Sequence, residues 1–105
     1  MAKRGEVYLV SLDPTVGAKM QKTRPAVVVS PDELNVALAT VVVVPLTTGR
    51  AYPFRPQTRV GGKPGVAAVD QVRTVDKRRL SRRVGVLSEH ALTNVLEALA
   101  ELFAP

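Results

Sequence analysis

"KTRPAVVVSP", residues 22–31, sets a cation at the mouth of a core strand. Val27, Val28 and Val29 are β-branched and apolar, which suits a buried pleated surface. Pro25 has no amide hydrogen to give to a ladder, so it belongs where a strand begins. The stretch therefore predicts a strand over residues 25–29. Arg24 stands just before it, withdrawn from water on one side. Its charge needs either a structural partner inside the fold or an anion outside it.

The flanking sequence supplies the neighbours of that strand. "EVYLVSL" (6–12) alternates and predicts a first strand, ended by Asp13 and Pro14. A long loop then covers residues 13–23. "SPDE" (30–33) has the form of a capping box, with Ser30 as N-cap, Pro31 at the first helical position and Glu33 two residues on, and predicts a short helix over 31–36. "TVVVVPL" (40–46) is apolar on both faces, so it predicts a central strand. "FRPQTRV" (54–60) alternates weakly and holds Pro56, which predicts an edge strand or bulge. "GGKPG" (61–65) reads as a turn, "VAAVDQV" (66–72) as a fifth strand and "RRVGVL" (82–87) as a sixth, with a turn or single helical turn at 76–81. Ser88 caps a final helix whose Leu92, Val95, Leu96, Leu99, Leu102 and Phe103 fall on one face. The pattern predicts a mainly β fold with a C-terminal α-helix (α+β). It is a small, partly closed antiparallel barrel, one domain across residues 1–105.

Composition narrows the function classes. A hydrophobic fraction of 46% supports a packed core, and the absence of cysteine excludes disulfides and thiolate metal sites. The N-terminal residues do not read as a signal peptide, and no apolar run approaches the roughly 18 residues of a membrane span. All 15 Lys and Arg fall in residues 1–83 against six acids, a net of +9, while residues 84–105 carry three glutamates and no Lys or Arg. A basic body fits a polyanionic partner, a nucleic acid or an acidic protein, as well as plain solubility.

No metal-ligand spacing, phosphate loop or nucleophile elbow is present, and the lone His90 reads as a surface or capping residue. What remains is cations near loops. Lys19 and Lys22 flank the first loop, Arg50 lies in the loop after the third strand, and Arg73, Lys77, Arg78, Arg79, Arg82 and Arg83 fall within eleven residues. They line an electropositive groove if the barrel brings these loops to one rim; otherwise they are a solvated surface. Tyr52 is the aromatic placed to stack on a base. Thr47, where the third strand leaves the core, either satisfies a backbone group or meets Arg24 at one phosphate, for which the planar guanidinium fork is suited.

With these residues in view, the chain resembles the MazF/PemK family of toxin endoribonucleases of type II toxin–antitoxin systems. The resemblance rests on "RGEVYLVSLDPTVG" (4–17), "TRPAVVVSPDELN" (23–35), "VVVPLTT" (42–48) with "YPF" (52–54), and the stretch from Ala68 to Leu80, in that order. It implies an SH3-like barrel like that shared with CcdB. It also implies a homodimer that cuts single-stranded RNA (mRNA, rRNA or tRNA) in the cytoplasm without metal or other cofactor. A MazE-like antitoxin with an acidic tail would silence it, and unchecked activity would inhibit growth. The family's essential arginine and threonine fall on Arg24 and Thr47. Lys19, Lys22, Arg50, Tyr52, Asp70, Gln71, Arg73 and Lys77 are the expected RNA-binding residues. Lys19 stands where many relatives have glutamate, so the resemblance names no general base here. A non-catalytic nucleic-acid-binding module and a gyrase poison of the CcdB type are the competing readings on the same fold.

Overall fold

The computed structural model describes residues 2–12 and 23–105. The central strand is β3 (Thr40–Thr47), and every other element is placed by what it does to β3 or to its neighbour β2 (Thr23–Val28). β2 pairs antiparallel with β3 on one side and with β1 (Glu6–Ser11) on the other. β1 in turn pairs with β7 (Leu80–Val86). Along its other edge β3 is bonded to β5 (Lys63–Ala67) near its end and to β6 (Arg73–Asp76) near its start, and β4 (Gln57–Val60) closes a hairpin on β5. The strand order is β4-β5-β3-β2-β1-β7. The sheet curls until its two ends touch: a Cβ on Gly85 of β7 would lie 2.6 Å from Val60 of β4, so glycine is needed there for the seam to close. This is the partly closed antiparallel barrel that the sequence predicts.

Strand parity divides the core in two. Val7, Val27, Val29, Val44 and Leu46 point to one face and pack with Val69, Leu87 and the helix α2 (Glu89–Phe103) through Val95 and Ala98. Val10, Leu12, Ala26, Val28, Val41, Val43 and Val75 form a second cluster on the other face. The α2 N-cap is as predicted, with the Ser88 hydroxyl accepting from the Ala91 N–H at 3.1 Å. Phe103 departs from its predicted place on the apolar face and is 71% exposed. At 3.6 residues per turn it points about 80° away from Val95, the centre of the buried stripe.

Three local predictions are corrected. Ser30 does not cap the short helix. That helix, α1 (Asp32–Ala37), starts after Pro31 without a side-chain cap. The Ser30 hydroxyl instead donates to Asn35 Oδ1 and accepts the Val42 N–H at 3.0 Å, while Asn35 Nδ2 donates to the Ser30 carbonyl at 3.0 Å. Asn35 is fully buried, and this small network extends the β2–β3 ladder past its last backbone bond, from Val29 N–H to the Val42 carbonyl. The turn cluster is confined to Gly61 and Gly62, both at positive φ, and β5 already begins at Lys63. The predicted strand over 66–72 is interrupted. Leu46 faces Ala67 and Val43 faces Arg73, so three residues along β3 correspond to six along its partner. The excess is a 3-10 turn, Val69–Gln71, which leaves the ladder and then rejoins it.

At the β1–β7 seam, Glu6 is 13% exposed and bonds to Arg83 at 3.0 Å. Burial raises its pKa, but the Lys3 N–H, the Tyr8 hydroxyl and Arg83 together outweigh that and hold the carboxyl below its usual value. Hydrogen bonds from Arg55 and Arg78 lower Asp70 and Asp76 likewise. A carboxyl lowered in the folded state binds fewer protons there than in the unfolded chain. Its contribution is therefore complete above the ordinary carboxylate value and is lost as pH falls through the lower folded value. Melting temperature is expected to drop steadily below about pH 4, and Glu6→Gln should cost about 1–2 kcal/mol at neutral pH and flatten that drop. Thermal melts from pH 7 to pH 2 measure both.

Candidate active site

β2 and β3 pair with Ala26 opposite Pro45, Val27 opposite Val44 and Val28 opposite Val43. Continuing that register by two residues brings Arg24 opposite Thr47. Opposed residues share a face, as do residues two apart on one strand. Arg24 and Thr47 therefore emerge on the face of Ala26, Val28 and Val43, away from α2. Arg73 stands opposite Val43 and takes the same face. Three polar side chains from three strands thus meet at the edge of the second apolar cluster.

They line a cleft of about 380 Å³ whose apolar surface comes from Leu12 and Pro45 and whose remaining walls are Arg55 and Gln71. Among the described residues no carboxylate lines it. Among the described residues, neither the Arg24 guanidinium nor the Thr47 hydroxyl has a hydrogen-bond partner. The structural reading of Arg24 would require one. Arg73 differs, since its Nη1 donates to the Leu12 carbonyl at 2.7 Å and fixes the end of β1. Arg55 donates from Nε and Nη2 to the two Asp70 carboxylate oxygens, each at 3.0 Å. Those bonds hold the Asp70 carboxyl below its usual range and raise Arg55.

Thr47 is located by its backbone, which pairs with Val66 of β5. The neighbouring Gly65 has no Cβ, and one added there would lie 2.9 Å from the Thr47 carbonyl oxygen. Gly65→Ala is therefore expected to push β3 and β5 apart, at about 1–3 kcal/mol, and to move the Thr47 hydroxyl. A fall in melting temperature together with a loss of cleft function in the folded protein would show this.

Of the residues picked from sequence, Arg24, Thr47, Gln71 and Arg73 share the cleft, and Asp70 adjoins it through Arg55. Arg50 and Tyr52 are exposed on the segment between β3 and β4 and do not line the cleft. Lys77 follows the end of β6 beside Thr40, some 20 Å from Thr47 along β3 by strand rise. Lys19 and Lys22 lie outside the described residues. The basic run 73–83 is not a single open groove: Arg78 pairs with Asp76, Arg83 with Glu6, and Arg79 donates to the Ser11 carbonyl. Arg55 went unread in the sequence. Its carboxylate partner is fifteen residues away, and no local pattern marks it.

A larger depression of about 800 Å³ lies between the β4–β5 hairpin and the start of α2. Its one charged lining residue among those described is Arg59, which donates to the Gly62 carbonyl at 2.9 Å. The smaller cleft, with three guanidiniums, is the better anion site. Among the described residues no group of three His, Asp or Glu side chains is gathered to hold a metal ion.

A family model described as PemK-like, MazF-like toxin of type II toxin–antitoxin system matches residues 3–103. The endoribonuclease PemK of Escherichia coli is 38% identical over 107 aligned positions, covering 95% of this chain and 80% of that protein. The endoribonuclease MazF9 of Mycobacterium tuberculosis is 38% identical, covering 94% of this chain and 93% of that protein. Among solved structures, a mycobacterial endoribonuclease in complex with its cognate antitoxin superposes with a TM-score of 0.84 at 28% identity, over 100% of this chain and 98% of that one. MazF of Deinococcus radiodurans gives 0.79 at 26% identity, over 95% and 94% of the two chains.

Proposed function

We propose, on the premise that the chain belongs to the PemK-like, MazF-like toxins of type II toxin–antitoxin systems, that it is an endoribonuclease cutting single-stranded RNA without a metal, with Arg24 and Thr47 at the scissile phosphate. The observation that carries this is the meeting, in one cleft, of a guanidinium and a hydroxyl that have no partner among the described residues, with no carboxylate among the cleft's described lining.

The chemistry that fits is attack by the substrate's own 2′-hydroxyl. The 2′-oxygen forms a bond to phosphorus, the bond from phosphorus to the 5′-oxygen breaks, and that oxygen takes up a proton as the 2′-hydroxyl gives one up. The products are a 2′,3′-cyclic phosphate and a 5′-hydroxyl. Negative charge grows on the non-bridging oxygens in the transition state, so donors fixed around them accelerate the step. Arg24 brings a positive charge and paired N–H groups, and Thr47 a short O–H donor. The cleft's described polar side chains are three guanidiniums, a hydroxyl and an amide, none of them a base at neutral pH. Charge stabilisation is thus the contribution these described residues make.

The whole of residues 1–105 would act as one toxin domain in the cytoplasm, as a homodimer. Exposed Val86 and Phe103 are apolar surface suited to a second copy. An acidic antitoxin segment would be drawn to the +9 body of the chain and occupy the same cleft. The test is incubation of the purified protein with RNA in EDTA, followed by mapping of the new 5′ ends. Cleavage leaving 5′-hydroxyl ends is expected. Activity that disappears in EDTA and returns with magnesium would refute the mechanism. Inhibition of gyrase without RNA cleavage would favour the CcdB-type reading.

A further inference from the structure

Arg55 is held from two directions. Its backbone is tied by a reciprocal pair of hydrogen bonds, Tyr52 N–H to the Arg55 carbonyl at 3.1 Å and Arg55 N–H to the Tyr52 carbonyl at 2.8 Å, which close the turn through Pro53. Its side chain is tied by the forked pair of bonds to Asp70. Those two bonds use two of the five guanidinium N–H groups and leave three, in a side chain that is 28% exposed and lines the cleft. An ion pair this exposed adds little to stability. What it does fix is orientation.

Asp70 has a corresponding placement. It lies in the three-residue 3-10 excursion, which lifts it out of the β3 ladder and turns its carboxylate toward Arg55 rather than into the cleft. It does not line the cleft itself.

We propose that Arg55 is a substrate-binding residue that grips a phosphate of the RNA strand, and that Asp70 is its positioning residue, acting on RNA through Arg55 rather than by direct contact. This rests on the reading of the cleft as an RNA-cleaving site. On the proposed reading Arg24 meets the reacting phosphate, whereas Arg55, set before RNA arrives, holds another phosphate of the strand whose charge does not change in the reaction. It therefore offers the same donors to the bound substrate and to the transition state, and its effect falls on KM and not on kcat.

The experiment is a double-mutant cycle, read as KM and kcat on a single-stranded oligonucleotide that the wild type cuts. Binding of the same oligonucleotide with a 2′-deoxy residue at the cut position is measured beside it. Arg55→Ala is expected to raise KM and the dissociation constant about tenfold with kcat within about threefold, the loss of one charge-assisted phosphate contact. Asp70→Asn should raise both by a smaller factor, and in the Arg55→Ala background should change nothing further. Asp70→Glu, which keeps a carboxylate for Arg55, should restore part of the loss. Melting temperatures should stay near that of the wild type. If Arg55→Ala leaves KM and binding unchanged, Arg55 does not hold RNA. If Asp70→Asn lowers kcat equally in both backgrounds, Asp70 acts directly on the substrate and the positioning role is wrong. A wild type that cuts RNA in EDTA while either of these holds overturns this inference alone, and a wild type that neither cuts nor binds RNA overturns the parent reading with it.

Discussion

Arg24→Ala is expected to slow RNA cleavage by roughly a hundred- to thousandfold, the cost of one preorganised transition-state donor. Its melting temperature should remain within about 4 °C of the wild type. The two halves of that result have different causes. The side chain is exposed and has no partner among the described residues, so its removal strands no buried group. At the scissile phosphate the same removal leaves growing negative charge uncompensated. Arg24→Lys should be almost as inactive, since an ammonium is a point charge without the planar fork. Thr47→Val keeps the shape and removes the O–H donor, and should lower the rate without unfolding the protein. Melts and single-turnover cleavage on each variant decide the matter. If Arg24→Ala melts far below wild type while its folded fraction still cuts RNA normally, the arginine is structural and the site lies elsewhere.

Asn35→Ala should have the opposite profile. Asn35 is fully buried and joins both the hydroxyl and the carbonyl of Ser30, and the same hydroxyl receives the Val42 amide. Truncation leaves the buried Ser30 hydroxyl and carbonyl each short of a partner, together with a small cavity, at a cost of about 2–4 kcal/mol. For a domain of this size that is on the order of 10–20 °C in melting temperature. The network lies at the start of β3 and the cleft at its end, so molecules that remain folded should cut at the wild-type rate. Loss of activity per folded molecule would mean that the two ends of β3 are coupled.

These two residues also show what a sequence can and cannot disclose. Arg24 and Thr47 were legible because each sits at the mouth of a strand marked by a run of valines, and strand pairing alone brings such mouths together. β3 was legible as central because it is apolar on both faces, and α2 because its stripe keeps helical spacing. Ser30 was misread because "SPDE" satisfies a local rule, while the partner that wins its hydroxyl, Val42, is twelve residues away. The break at Val69–Gln71 was invisible because no glycine or proline punctuates "VAAVDQV". It arises from β5 and β6 sharing one edge of β3 in two registers. Arg55 was missed for a related reason, since its partner lies in that excursion.

The excursion also determines where this architecture tolerates change in length. Inserting or deleting one residue within β2 or β3 would reverse the faces of the side chains on its two sides relative to each other, and Arg24 or Thr47 would be carried to the α2 side. Val69–Gln71 stands outside the ladder, which resumes at Arg73 whatever the excursion contains. Residues gained or lost there would reshape one wall of the cleft and leave the β2–β3 register untouched. On the proposed reading, a change of length at this one outcrop would alter which RNA the cleft accepts and leave Arg24 facing Thr47.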